Sequence, residues 1–219
     1  MAIIRGFLHV FATIKLDMLD NFADDVEDAI LDQRDFYINQ LDEEATKLTE
    51  DEKEIFWDYK IDRLDELRTE YPNTLRASVL ISCYSTLEKT LVDLHKFLRK
   101  SGISSIRKLD DESLKGKSTI EKVASCIEAD LGISTPFTLD SWKRIITYKK
   151  IRNKVVHELG KVSSTSPLAT EIKNLPYVSI NNLNEIEFDS DFSKHVIKDI
   201  RKFLLSIFEK IQEVNILHK

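Results

Sequence analysis

The segment "YKKIRNKVVHELGK", Tyr148 to Lys161, places an arginine, an asparagine and a histidine within six residues, Arg152 to His157. Imidazole moves protons near neutral pH. Guanidinium stays charged and grips phosphate through paired hydrogen bonds, and an amide can orient either partner. Together they suit RNA cleavage, in which the ribose 2′-hydroxyl attacks its own phosphate. That reaction needs a base, an acid and stabilisation of a pentacoordinate dianion. The substrate supplies the nucleophile, so the chemistry calls for no metal and no cofactor.

Spacing decides which of these groups can meet. Asn153 and His157 are four apart and share a helix face, with Lys149 and Lys150 one turn earlier. Lys154 adds a further cation for a phosphodiester backbone. Arg152 leads His157 by five positions, about 140° around a helix, so one helix cannot set them side by side. A wrapping side chain or a second copy of the helix would have to close the gap. A blander reading stands beside this one: a solvated basic face whose histidine suits a helix C-terminus.

The elements that must hold this segment are helical. Nine Gly and Pro residues in 219, with 32% charged and 42% hydrophobic residues, favour long helices around a sizeable core. Leu16, Leu19, Phe22, Val26, Ile30, Tyr37 and Leu41 mark one long amphipathic helix. "TEDE" at 49–52 reads as a capping box opening a second acidic helix, which Pro72 should end. Val79, Cys83, Leu87, Leu91, Leu94 and Leu98 line a third, stopped at Ser101-Gly102. "STIE" at 118–121 caps a short helix ending near Gly132. Pro136 and Asp140 introduce the motif helix, whose buried face is expected to hold Trp142, Ile145, Tyr148, Ile151, Val155, Val156 and Leu159. Residues 161–176 read as a loop. "YVSINNLNEIEF" predicts a hairpin with Val178, Ile180, Ile186 and Phe188 on one side. A last helix from about Asp191 carries Val196, Ile200, Phe203, Ile207, Ile211 and Val214. The fold class is mainly α: a helical bundle with one small hairpin and an N-terminal acidic helical arm, divided as residues 1–70 and 71–219.

Charge is unevenly spread. Lys15–Glu70 carries 20 acidic against 7 basic residues, a balance of −13, while the whole chain stands at −6. Residues 141–161 hold seven Lys and Arg against Glu158 alone, a local field that permits a polyanionic partner. Cys83 and Cys126 cannot make a disulfide framework or a zinc site, which points to the cytoplasm. The apolar N-terminus, interrupted by Arg5 and His9, is too short to span a bilayer and reads as a packing or interface segment. His9, His95, His195 and His218 are scattered singly, and His95 reads as a surface or partly packed residue.

"RNKVVH", Arg152–His157, resembles the Arg-x4–6-His motif of HEPN (higher eukaryote and prokaryote nucleotide-binding) domains, including the asparagine that often follows the arginine. "LRASVLISCYSTLEKTLVDL" is similar to the family's earlier core helix, with an arginine near its start and a Ser-x-x-Glu pattern, Ser85 to Glu88. The resemblance covers about Asn73 to the C-terminus and leaves the acidic arm outside. It implies a metal-independent endoribonuclease acting as a homodimer, in which motif helices meet across a two-fold axis. His157 would then be the acid–base residue, Arg152 the phosphate binder and Asn153 the positioning group, with Ser85 and Glu88 in support. It also implies RNA as the partner, tRNA among the candidates, and a role as a toxin or phage-defence effector. A noncatalytic alternative is a dimerisation or nucleotide-binding module that assembles with an antitoxin or other defence-system protein; the acidic arm motivates it.

Overall fold

The computed structural model describes the backbone of residues 2–101 and 106–217, and side chains from 6 to 101 and from 106 to 214. It is mainly α-helical with one two-stranded antiparallel hairpin. Helix α1 spans Ala2–Ala45, so the apolar N-terminal segment continues the amphipathic helix expected from Leu16. Helices α2 (Glu50–Asp65) and α3 (Tyr71–Lys100) follow, then α4 (Thr119–Leu131), the single turn α5 (Thr135–Thr138) and the motif helix α6 (Asp140–Glu158). Helix α7 (Pro167–Lys173), strands β1 (Val178–Ile180) and β2 (Ile186–Phe188), and α8 (Phe192–Leu217) complete the chain. Both capping boxes form: the backbone N–H of Thr49 and of Ser118 donates to Glu52 and Glu121 three residues on, at 2.9 and 3.0 Å. Gly132 closes α4 in the left-handed conformation, φ 70°.

Three expectations are corrected. Pro72 does not end a helix. A π-turn, Glu66–Glu70, joins α2 to α3 in one continuous helical run. The wider i→i+5 turn accommodates the position where the ring lacks an N–H and would crowd the carbonyl one turn back. Residues 161–176 are not all loop, because Ser166 caps α7 by accepting from the Ala169 N–H at 3.2 Å, with Pro167 at its first turn. His95 is buried, 3% exposed, with Nε2 2.9 Å from the Arg107 carbonyl of the returning loop. Burial lowers its pKa.

Helices α1, α3, α6 and α8 form the bundle. Leu16 and Ala23 of α1, Cys83, Leu87 and Leu94 of α3, Ile145 and Ile151 of α6, and Phe192, Phe203 and Ile207 of α8 belong to one core. Each large side chain removed from water contributes about 1.5–3 kcal/mol before the entropy of ordering is charged against it. The expected hairpin forms, with Val178 paired to Phe188 and Ile180 to Ile186. The start of α3 completes the free edge of β2. Asn73 Nδ2 donates to the Ile186 carbonyl at 3.0 Å, and the Phe188 N–H donates to Asn73 Oδ1 at 2.9 Å. One amide thus stands in for a third strand. Arg76 adds a bidentate pair with Glu27 of α1, at 2.6 and 2.9 Å, and a bond to the Phe188 carbonyl.

Candidate active site

Helix α6 is fixed at its N-terminal half. Arg144 grips Asp199 of α8 through two bonds at 2.6 and 2.5 Å, and the Tyr148 hydroxyl donates to the same carboxylate at 2.9 Å. Asp199 is 3% exposed. Burial, reinforced by this carboxylate, raises the Tyr148 phenol well above its ordinary range, so it remains a donor. Trp142 stacks on Phe203 with ring centroids 4.7 Å apart.

Beyond Ile151 the helix emerges from the core. The expected buried face stops short: Val156 is 45% exposed and Leu159 87%. Val156 lies about 100° past Val155, beyond the edge of the stripe. Leu159 adopts a left-handed conformation, φ 52°, and Gly160 follows at φ 77°, with the Gly160 N–H donating to the Lys154 carbonyl. This αL turn ends α6 and throws Leu159 outward.

The motif residues occupy two flanks of this emergent half. His157 and Asn153 are exposed and line a groove of about 420 Å³ between α6 and α7, with Lys150 and Lys154 on the same wall and Ser166 and Glu171 opposite. Arg152 turns the other way, onto α3, where its guanidinium carbon sits 5.5 Å from the centroid of the Tyr84 ring. Asn153, which lines the groove with His157, accepts at Oδ1 from Arg152 Nη1 at 3.1 Å. In one chain, therefore, Arg152 and His157 share a neighbour but not a target.

Charge separates Arg152 from its surroundings. Lys143 pairs with Asp140, Arg144 with Asp199, Lys149 with Glu121, Lys150 with Glu171, Lys154 with Glu158 and Lys161 with Glu185. Among the described residues, Arg152 alone of the seven cations in 141–161 has no carboxylate within 4.0 Å. Its buried Nε–H also lacks a hydrogen-bond partner there. The three lysines expected to hold RNA are thus already neutralised locally. Burial alone would raise the Glu121 carboxyl, but the Lys149 ammonium and the Ser118 cap hold it down at about 2.

The expected supporting residues diverge. Glu88 lies within electrostatic reach of Tyr84, together with Arg152 and Glu121, and burial raises the Tyr84 phenol. Ser85 is on the far flank of α3, its Oγ donating to the Ile81 carbonyl at 2.8 Å, and it lines a groove against α1. Sequence reasoning missed Tyr84, Glu121 and Glu171. Tyr84 had a readable signal, one turn before Glu88 on the helix already singled out. The two glutamates are 28 and 21 positions from their lysines, beyond any local pattern. Among the described residues no group of three or more His, Cys, Asp or Glu gathers in a way that could hold a metal ion. No described helix is long and apolar enough to cross a membrane.

Comparison of the chain with family models, with curated proteins and with solved structures returns no match.

Proposed function

We propose that this chain is an endoribonuclease that works as a homodimer, with Arg152, Asn153 and His157 as its reactive set. The observation that carries the reading is the unpaired guanidinium. Among the described residues every other Lys and Arg of this helix has a carboxylate within 4.0 Å, whereas Arg152 is held on an aromatic ring with none so close, one amide away from an exposed imidazole. An arginine kept this way is an anion site in waiting.

His157 of one copy takes the proton from the ribose 2′-hydroxyl as O2′ bonds to phosphorus. The P–O5′ bond breaks, and O5′ receives its proton from the second imidazole. The products are a 2′,3′-cyclic phosphate and a 5′-hydroxyl, so atoms and charge balance without metal or cofactor. The arginines meet the dianion, and Asn153 keeps Arg152 extended. The HEPN resemblance supports the same assignment and suggests a toxin or phage-defence setting in the cytoplasm, with tRNA among the substrates to try. The two buried, unpaired cysteines suit a reducing compartment.

The test is incubation of the purified chain with mixed RNA in the presence of a chelator. Cyclic-phosphate ends are expected, falling by about 10²–10⁴ in rate in His157→Ala. Cleavage that persists in that variant removes His157 from the chemistry; 3′-hydroxyl ends point to attack by water instead. One observation favours a second, noncatalytic reading: Lys149, Lys150 and Lys154 are occupied by Glu121, Glu171 and Glu158. Intact RNA together with tight binding of a nucleotide or a basic partner protein, such as an antitoxin, would select it.

A further inference from the structure

The outward face of α1 carries Phe7, Val10, Phe11, Ile14, Met18 and Phe22, each between 49% and 65% exposed. Phe7, Phe11, Ile14 and Met18 recur at steps of four, three and four, the spacing of a seam that packs against another helix. Large side chains half open to water leave on the order of 100 Å² each. The stripe therefore offers on the order of 600 Å², at the upper end of what monomers leave uncovered. Two stripes together would bury about 1,200 Å², the area at which specific, stable interfaces begin. Membrane-lying helices are rimmed with Lys and Arg, whereas Lys15 is the only such residue from 6 to 22.

The stripe runs into a groove of about 580 Å³ between α1 and α3, walled by Leu8, Phe11 and Ala12 on one side and Ile81, Ser85 and Lys89 on the other. Ser85 therefore faces α1, while its chain neighbour Tyr84 carries Arg152 on the opposite flank. Phe11, mid-stripe, lines this groove with Ser85, and Arg152 sits on the adjacent Tyr84, which places the two at a similar height along α3.

We infer that a second copy of this chain docks antiparallel on the α1 stripe, about a two-fold axis at the height of Ser85, and that this axis also turns the two Arg152 flanks toward each other. Centred between Ala12 and Thr13, the pairing sets Phe7 against the partner's Met18 and Phe11 against the partner's Ile14, so each seam position meets a large apolar side chain. The contact is isologous and closes as a dimer. An axis parallel to the helices would also pair α1 with α1, but would carry the two Arg152 flanks to opposite ends of the assembly. The seam stands on its apolar area alone; the shared Arg152 cleft rests on the RNA-cleavage reading above.

Sedimentation of the full chain should give about twice the 25.4 kDa of one chain. Phe11→Asp/Ile14→Asp should sediment as a single chain with unchanged helical circular dichroism, and its RNA cleavage should fall as far as that of His157→Ala. A single-chain mass for the wild type, or a persisting dimer in the double variant, overturns the seam. Orientation is read by cross-linking, undisturbed by the buried Cys83 and Cys126. Phe11→Cys/Ile14→Cys should form a covalent dimer on mild oxidation and Phe7→Cys should not; the reverse overturns the antiparallel register. A wild-type dimer that dissociates in the Asp variant yet cleaves no RNA upholds the seam and overturns the nuclease reading. Full cleavage by the monomeric variant overturns the shared cleft.

Discussion

Helix α6 contains two arginines two turns apart, and they end in opposite circumstances. Arg144, in the first half, is matched by a buried carboxylate and a phenol from the core. Arg152, in the second half, has an aromatic ring, an amide and, among the described residues, no carboxylate within 4.0 Å. The first half is where packing density and ionic satisfaction coincide; the second is where the helix has left the core and Val156, His157 and Leu159 face solvent. Identical residue types thus end as an anchor and as the proposed phosphate binder. What distinguishes them is whether the fold itself supplies the anion.

The sharpest way to break this contrast is Asp199→Ala, which leaves Arg144 partly buried without its partner. Stability should fall by about 3–5 kcal/mol, read as a loss in denaturant midpoint at unchanged m-value. A change below about 1 kcal/mol would mean the anchor is no anchor. Tyr148→Phe removes one bond to the same carboxylate and should cost about 1.5–3 kcal/mol by the same measurement. Arg152→Gln should cost no more than about 1 kcal/mol, the scale of a cation–π contact at a partly exposed site, while RNA cleavage is lost. A large stability loss there would make Arg152 a second Arg144.

The smallest effect concerns acid. Glu121 is held at about 2 against an ordinary 4.5, so its folded form resists protonation. Its contribution is complete above about pH 4.5 and fades as pH falls toward 2. Because the group is partly open to solvent, the loss should be a few tenths of a kcal/mol to about 1. Glu121→Gln should flatten that part of the stability profile, and it should free Lys149. If RNA affinity then rises, the lysine was masked; if affinity is unchanged, Lys149 serves only the α4–α6 junction.

Much of the scaffold was legible in the sequence because it depends on local rules. The capping boxes at Thr49 and Ser118, the Val79–Leu98 stripe of α3 and the presence of the hairpin all follow from neighbours within a few residues. The failures share a different cause. Pro72 is tolerated through a backbone adjustment that no side-chain pattern encodes, and α7 is too short for periodicity, though Ser166-Pro167 announces its start. Val156 and Leu159 continue the apolar count past the point where the helix leaves the core. At the candidate site, the residue types were visible; the isolation of Arg152 was not, since four of the other six cations take carboxylates distant in the chain.

The π-turn at Glu66–Glu70 gives the acidic N-terminal hairpin an adjustable joint. It inserts one residue more than a regular turn requires, so removing a single residue there would convert the run to ordinary α-helix and rotate α2 by about 100°. Leu64, now 4% exposed, would swing out of its seat. The azimuth of α2 is thereby stored in one residue's length of backbone, which makes it changeable by deletion where no substitution would suffice.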